Sequence, residues 1–583
     1  VKAGFYYDHI WRNASNAVTF NGSFDFGVNA SNPLDTGYAY SNAMLGNFNS
    51  YTEATSRPFV YFRLSNIEWF VQDNWRATRR LTLDYGLRFH RVKPIHERDN
   101  QVSGFFPDRF NPARQPALIV PVRVNNQRVG RDPLTGTIYP ANAIGAQAPG
   151  SGDPANGIVV TARDSNAPRA LIRDRGVQYA PRLGFAYDVF GHGKTAVRGG
   201  FGIFYNRQNL DAVLNPFTSQ APIVETPVIN FGNLSTFLNS SGLLFPQNVL
   251  GIDESGKVPS NMNFSLSVQQ NIGFGTILDV AYVGALGRHL LWQRNLNSIP
   301  FGANFKPENA DPTNPATPLP QAFLRPLRGY GNLNYREWAA TSNYHSLQLS
   351  ANRRFAESLQ FGLSWTWSKS LDFNSGDTDA VSALVPVRVW NYGLSSFDRT
   401  HVLKLNWLWD LPKASGGNRL MRRVLNDWQM SGIASFVSGA PLGVGFTTVT
   451  PIDLTGSPTD GARVVVAGNP VLPKGERTFS RFFDTSVFQL PKVGSIGNSA
   501  KTVIRGPGIN NWDVAIFKTF PLRESLRFQF RWEMYNVFNH TQFSAVDTNA
   551  RFDAAGNQVN TRFGELTTAR NPRQMQFALR LNF

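Results

Sequence analysis

The 583-residue chain contains no cysteine, which excludes thiolate metal sites, thiol nucleophiles and disulfides. Gly191-His192-Gly193-Lys194-Thr195 ends like a phosphate-cradling loop, but the first glycine of that motif falls at Asp188. The segment lies between two strand-like stretches rather than ahead of a helix, and it reads as a hairpin turn. The eight histidines are scattered, with no HExxH and no short His-x-x-x-His spacing, so metal catalysis has no support. Asp372, Asn374, Asp377 and Asp379 offer oxygen ligands suited to calcium, without the spacing or closing glutamate of an EF-hand; a solvated loop is the simpler reading. The remaining candidates are charges that alternate with apolar residues: Asp84, Arg88, Arg198, Asp279, Arg527, Arg531 and Glu533. In lipid an arginine near the bilayer midplane costs about 2–4 kcal/mol, so such side chains face water or a protein filling. None of these groups makes a catalytic constellation, and the expectation is a protein without enzymatic activity or cofactor.

The elements that position these charges repeat every second residue. Met575, Phe577, Leu579, Leu581 and Phe583 alternate with Gln576, Ala578, Arg580 and Asn582. A strand sends alternate side chains to opposite faces, which gives one oily face and one wet face. Leu526, Phe528, Phe530, Trp532 and Met534 alternate with Arg527, Gln529, Arg531 and Glu533. Leu81 to Phe89, Leu403 to Leu411, Phe361 to Trp367 and Val197 to Tyr205 do the same. About fifteen such segments, many near ten residues long, match what a tilted strand needs to cross a bilayer. They begin near residues 2, 17, 62, 80, 178, 194, 260, 275, 344, 358, 400, 427, 509, 523 and 571. No apolar run is long enough for a membrane-spanning helix.

Connections alternate between tight and long. Ala77-Thr78-Arg79, Gly191-His192-Gly193, Ile272-Gly273-Phe274-Gly275, Ala356-Glu357-Ser358 and Pro521-Leu522-Arg523 are tight. Stretches near 94–177, 207–259, 288–343, 372–399, 443–508 and 539–570 are long and rich in Pro, Gly, Asn and Asp. Outer-membrane barrels have this asymmetry, with short periplasmic turns and long extracellular loops. The connection 412–426 falls on the short side. Residues 28–61 also read as periplasmic, with a brief helix over 40–46. Charged residues make up 17% of the chain against 13% aromatic, too few for an ordinary soluble surface of this size. A soluble all-β protein would need two thick opposed cores, and the polar faces of these strands forbid them. The predicted class is an all-β, transmembrane antiparallel β-barrel.

Several segments resemble the barrel of TonB-dependent outer-membrane transporters, particularly the Oar-like group. They are Phe70-Val71-Gln72-Asp73-Asn74-Trp75-Arg76 running into Leu81 to Phe89, and Ala180 to Asp188 with Val197 to Gly202. Phe397-Asp398-Arg399-Thr400-His401, Arg505-Gly506-Pro507-Gly508 with Asn511-Trp512-Asp513, and Tyr535 to His540 follow in order, and Arg580-Leu581-Asn582-Phe583 ends the set. The resemblance implies a barrel of about 22 strands with a plug in its lumen, and a periplasmic segment that engages TonB. It therefore reads residues 1–583 as the C-terminal portion of a receptor barrel, incomplete at its N-terminus. The plug and a carboxypeptidase-regulatory-like domain would lie upstream. A smaller, self-closing barrel is the other reading of the strand count. The charges listed above would grip the plug or line the substrate path. Phe577, Leu579, Leu581 and Phe583 would form the C-terminal signal read by the barrel-assembly machinery.

The formal net charge of +17 invites a nucleic-acid reading. The arginines are spread over strands and loops with no lysine-rich run or nucleic-acid module, so lipopolysaccharide phosphates suit them better. Trp365/Trp367 and Trp407/Trp409 suit an interfacial aromatic girdle. The expected setting is the outer membrane of a Gram-negative-type envelope, in contact with its lipid and lipopolysaccharide. The expected function is active, TonB-driven uptake of a siderophore, oligosaccharide or peptide. The alternatives are a passive porin-like diffusion channel and a surface adhesion or structural protein.

Overall fold

The computed structural model describes residues 1–15, 18–356, 358–521 and 526–583. Fourteen long strands form the body of one sheet. β1 (Lys2–Ser15), β2 (Phe59–Arg76), β3 (Leu81–Val92), β4 (Gln178–Asp188) and β5 (Thr195–Tyr205) open the series. It continues through β6 (Ser260–Gly273), β7 (Thr276–Asn295), β8 (Tyr330–Ala356), β9 (Leu359–Asp372) and β10 (His401–Asp410). β11 (Trp428–Val437), β12 (Ile509–Pro521), β13 (Arg527–Tyr535) and β14 (Gln574–Asn582) complete it. Each strand pairs antiparallel with the next in sequence, a continuous meander.

Register carries one face unbroken across the meander, because antiparallel partners point the same way. Row by row, Leu363 lies opposite Ala351 and Leu405, and Leu405 opposite Ala434. On the other face Ser364 lies opposite Ser350 and Lys404, and Lys404 opposite Ser435. On the apolar face of these strands the lysines, arginines and acids of the described residues stand near the edges of the band. Asp73, Arg353 and Lys518 lie toward the short connections, and Arg63, Arg91, Arg288 and Lys369 toward the long ones. Between Arg63 and Asp73 of β2 the strand runs about 34 Å. At the tilt of membrane barrels, ~35–45°, that rise matches an apolar band about 25 Å tall.

The seven connections β1–β2, β3–β4, β5–β6, β7–β8, β9–β10, β11–β12 and β13–β14 all leave from one end, and all are long. The other end carries the short ones, including 411–427, which holds the helix Arg419–Leu425. Two expectations change here. The segment beginning near 17 contributes only the three-residue strand Ser23–Asp25, paired with Asn47–Thr52 in a small separate sheet that also takes Val228–Asn233. Phe24 packs there on Phe48, Tyr51 and Phe237, so its two-residue alternation serves a loop sheet rather than a membrane strand. With that strand removed, the β1–β2 connection and its helix Ala39–Leu45 stand at the long-connection end, not the periplasmic one. β7 and β8 also extend farther than expected, to Asn295 and from Tyr330, and pair beyond the apolar band through register shifts. The starts placed near 17 and 523 and the turns at Glu357 and Leu522-Arg523 fall on residues outside those described.

At the long-connection end the polar face itself turns apolar. Val60 and Phe62 share the face of Glu68 and are fully buried by Ile172, Leu214 and Phe217 from the long connections, in a core that reaches Leu291 and Trp338. A second core joins the β11–β12 and β13–β14 connections around Val464, Phe483, Phe488, Phe552 and Phe563. The parallel pair Gly445–Thr448 and Asn549–Phe552 ties those two connections together.

Candidate functional site

The polar face and the loops folded over its mouth form the site. Glu68 of β2 sits there with its side chain only 6% exposed. It accepts from Arg88 Nε of β3 at 2.9 Å, and His90 Nδ1 lies 3.4 Å away. Arg207, at the start of the β5–β6 connection, reaches Glu68 at 3.5 Å and Asp8 of β1 at 2.7 Å. Neighbouring strands are about 4.8 Å apart, so β1 and β5 are separated by roughly 19 Å along the sheet. The connection therefore folds back across the polar face. Arg12 of β1 repeats the link with Asp211 at 2.9 Å. The Arg207 guanidinium is held above its ordinary value by the Tyr6 hydroxyl and, against the cost of burial, by the Asp8 and Glu68 carboxylates. It stays charged at every physiological pH.

All seven predicted polar-face charges share that face by register. Asp84 lies opposite Asn74 and Gly184, and Arg88 opposite Phe70 and Ala180. Arg198 lies opposite Ala186 and Ser267, and Asp279 opposite Gln269 and Ser350. Arg527, Arg531 and Glu533 alternate along β13 opposite Asn582, Ala578 and Gln576. The structure joins Arg88 to Glu68, Asp84 to the Asn74 amide at 2.5 Å, and Arg531 to Gln529 at 2.7 Å. It does not gather the seven into one cluster. Asp8, Glu68, His90 and Arg207 were missed, although Glu68 has the same parity as Gln72 and Asn74 and was readable from it.

The calcium candidates do not converge. Asp372 is buried and accepts from Lys501 Nζ at 2.6 Å and Ser375 Oγ at 2.9 Å. Asp379 accepts from the Ser375 and Gly376 amides at 3.2 and 2.8 Å, and Asn374 donates to the Leu291 and Gly376 carbonyls. Asp377 accepts from Asn209. Among the described residues no three His, Asp or Glu side chains are placed to hold a metal ion. The acids instead fasten loops.

A second fastening joins segments far apart in sequence. Asp398, its side chain 1% exposed, accepts from Arg505 at 2.6 Å and from the Ser370 amide at 2.7 Å. Arg505 also donates to the Gly439 carbonyl at 3.2 Å. A Cβ on Gly439 would lie 1.8 Å from the Gly506 carbonyl oxygen. Both parties are backbone, so no rotamer relieves the clash. Gly439→Ala is expected to cost at least the upper end of the ~1–3 kcal/mol typical of overpacking. Limited proteolysis should show 438–508 cut faster while the strands stay protected; unchanged cleavage would contradict the close approach.

The β7–β8 and β11–β12 connections frame an open cleft of about 880 Å³, lined among others by Leu319, Gln321, Phe446, Thr447 and Asp453. Asn304 donates to Asp453 across it at 2.6 Å. Phe577, Leu579 and Leu581 stand along the apolar face of β14, against Trp532, Phe530 and Phe528 of β13. Phe577 stacks on Trp532 with centroids 5.8 Å apart, and Phe583 is 96% exposed. Trp367 pairs with His401 near the long-connection end and Trp409 with Leu359 near the short one, so these tryptophans mark both rims of the apolar band.

A polar inner register, an apolar outer band rimmed by aromatics and all long loops at one end define a β-barrel protein of the cell outer membrane. The chain belongs to the family described as outer membrane beta barrel domain, whose model matches residues 1–576. No curated protein matches the sequence. Among solved structures, the outer membrane transporter YddB from Escherichia coli is 10% identical over 91% of this chain and 53% of its own, with a TM-score of 0.38. The siderophore receptor PiuA from Acinetobacter baumannii is 7% identical over 92% of this chain and 44% of its own, at 0.37. The FrpB iron transporter from Neisseria meningitidis is 10% identical over 91% and 60%, at 0.35. The chain thus spans about half the length of the solved structures it matches, and the likeness concerns fold alone.

Proposed function

We propose that this chain is the barrel of a TonB-dependent outer-membrane receptor that takes up a scarce nutrient. The observation that carries the reading is the folding of the long connections over the polar face, with Arg207 and Asp211 fastened to Asp8, Glu68 and Arg12. A mouth built this way suits capture by loops followed by energised release into the lumen. The seven polar-face charges hydrate the path and meet the plug, and the open loop cleft receives the ligand. Siderophore, oligosaccharide and peptide are the substrate classes.

The test compares growth in nutrient-limited medium of cells with and without the gene, each with and without TonB. The growth advantage is expected to vanish when TonB is removed. An advantage that persists, with steady conductance of the purified protein in planar bilayers, would make it a diffusion channel. No growth effect but a loss of surface attachment would make it an adhesion protein.

We further propose that the last strand is the segment read by the barrel-assembly machinery. Deleting Phe583 should reduce the folded, membrane-inserted fraction severalfold, measured by heat-modifiable gel mobility. Deleting exposed Gly461 in a long connection should not. Equal effects would leave Phe583 as an ordinary lipid-facing residue.

A further inference from the structure

The connection 411–427 is the longest at the short-connection end, and it is built to touch membrane. Its helix Arg419–Leu425 is capped by Asn418, whose side chain accepts from the Met421 amide at 2.8 Å. At about 100° per residue, Leu420, Met421, Val424 and Leu425 fall in one arc and Arg419, Arg422 and Arg423 in the opposite one. All four apolar side chains are exposed, Leu420 by 71%. Side chains of this kind would not stay in water by preference, and the described chain covers them with nothing.

What lies next to the helix identifies the environment. Trp428, the first residue of β11, is on the lipid-facing register opposite Lys518, and its indole nitrogen donates to the Val424 carbonyl at 2.8 Å. Lys518 is the cation that the apolar face carries at this end of β12. Its ammonium is drawn out of the band, donating to the Asn426 carbonyl and lying 5.5 Å from the Trp428 ring and 5.0 Å from Phe520. The last turn of the helix therefore docks on the outer surface of the barrel, not over its lumen. Asn426 closes the loop by accepting from the Ala414 amide at 2.7 Å, and Lys413 pairs with Asp427 at 3.0 Å. The last turn of the helix thus stands beside Trp428 on the lipid-facing register, with the apolar arc exposed and the three arginines on the opposite side.

We propose that this helix is an interfacial anchor, lying in the leaflet at the short-connection end and binding the phosphates of anionic phospholipid through Arg419, Arg422 and Arg423. The rigid loop closure presents the helix at the rim, the apolar arc enters the acyl boundary and the guanidinium groups meet the headgroups. The anchor is independent of what the barrel transports.

The cysteine-free chain allows a direct test. Leu420→Cys and, separately, Arg423→Cys are spin-labelled in the full-length protein, reconstituted in phosphatidylethanolamine vesicles with and without phosphatidylglycerol. The label at 420 is expected to be accessible to oxygen and shielded from a water-soluble nickel relaxant, and the label at 423 the reverse. Removing phosphatidylglycerol, or substituting Arg419→Gln with Arg422→Gln, should weaken the immersion at 420. Each arginine lost should lower apparent affinity for phosphatidylglycerol about fivefold. A label at 420 that stays in water in both vesicle types overturns the proposal, as does immersion indifferent to both lipid charge and the arginines. Immersion restored only by lipopolysaccharide would also overturn it, by moving the site to the other leaflet's lipid.

Discussion

Leu405→Arg should destabilise the membrane-inserted barrel by about 2–4 kcal/mol, while Asn406→Arg next to it should cost less than about 1 kcal/mol. Leu405 sits mid-strand in β10 on the apolar register between Leu363 and Ala434. An arginine there must desolvate or drag water and headgroups into the band. Asn406 faces Gly362 and Ile433 on the polar register, one residue pair from Lys404, where the chain already tolerates a cation at similar depth. The comparison holds strand, depth and introduced side chain constant and changes the face. Urea unfolding from lipid vesicles, followed by the loss of heat-modifiable gel mobility, reads both values. Equal costs would mean that the two faces see the same environment.

Asp398→Asn should loosen the long-connection end without unfolding the strands. Its carboxylate is buried, and Arg505 is the cation it neutralises. Removing one partner of a fully buried pair costs about 3–5 kcal/mol. Arg505 keeps a third of its side chain in water, so solvent recovers part of the lost interaction and about 2–3 kcal/mol is expected. Hydrogen exchange should accelerate by one to two orders of magnitude at 438–444 and 501–508, the two segments that Arg505 and Gly439 draw together. The double variant Asp398→Asn, Arg505→Gln should regain part of that protection, because no unpaired charge remains buried. Unchanged exchange in the single variant would mean that the Asp398–Arg505 pair does not hold the two segments together.

The strands and their faces were legible because a period of two imposed over ten residues leaves little choice of structure, as in Leu403 to Trp409 and Phe361 to Trp367. The polar-face charges were legible for the same reason. The one misplaced strand had a large consequence. Val18, Phe20, Phe24 and Phe26 alternate like a membrane strand, and a single extra strand inverts the side of the connection that follows. That is how 28–61 was assigned to the wrong end. The helix Arg419–Leu425 was missed because seven residues are too short to separate a period of 3.6 from noise. The latch was half legible: the segments holding Asp398 and Arg505 were singled out by resemblance, but their pairing across 107 positions has no local signature. The acids at 372–379 offered calcium ligands as an alternative to a solvated loop, because sequence shows oxygen ligands but not the Lys501 that occupies one of them.

One continuous face of the meander meets lipid and the other meets water. Single cysteines placed at Gly362, Leu363, Ser364, Trp365 and Thr366 of β9, in cells bearing the protein in their outer membrane, test it most directly. Positions 362, 364 and 366 are expected to react with a water-soluble maleimide, and 363 and 365 only after denaturation. Uniform labelling along the strand, or labelling with the opposite parity, would contradict it.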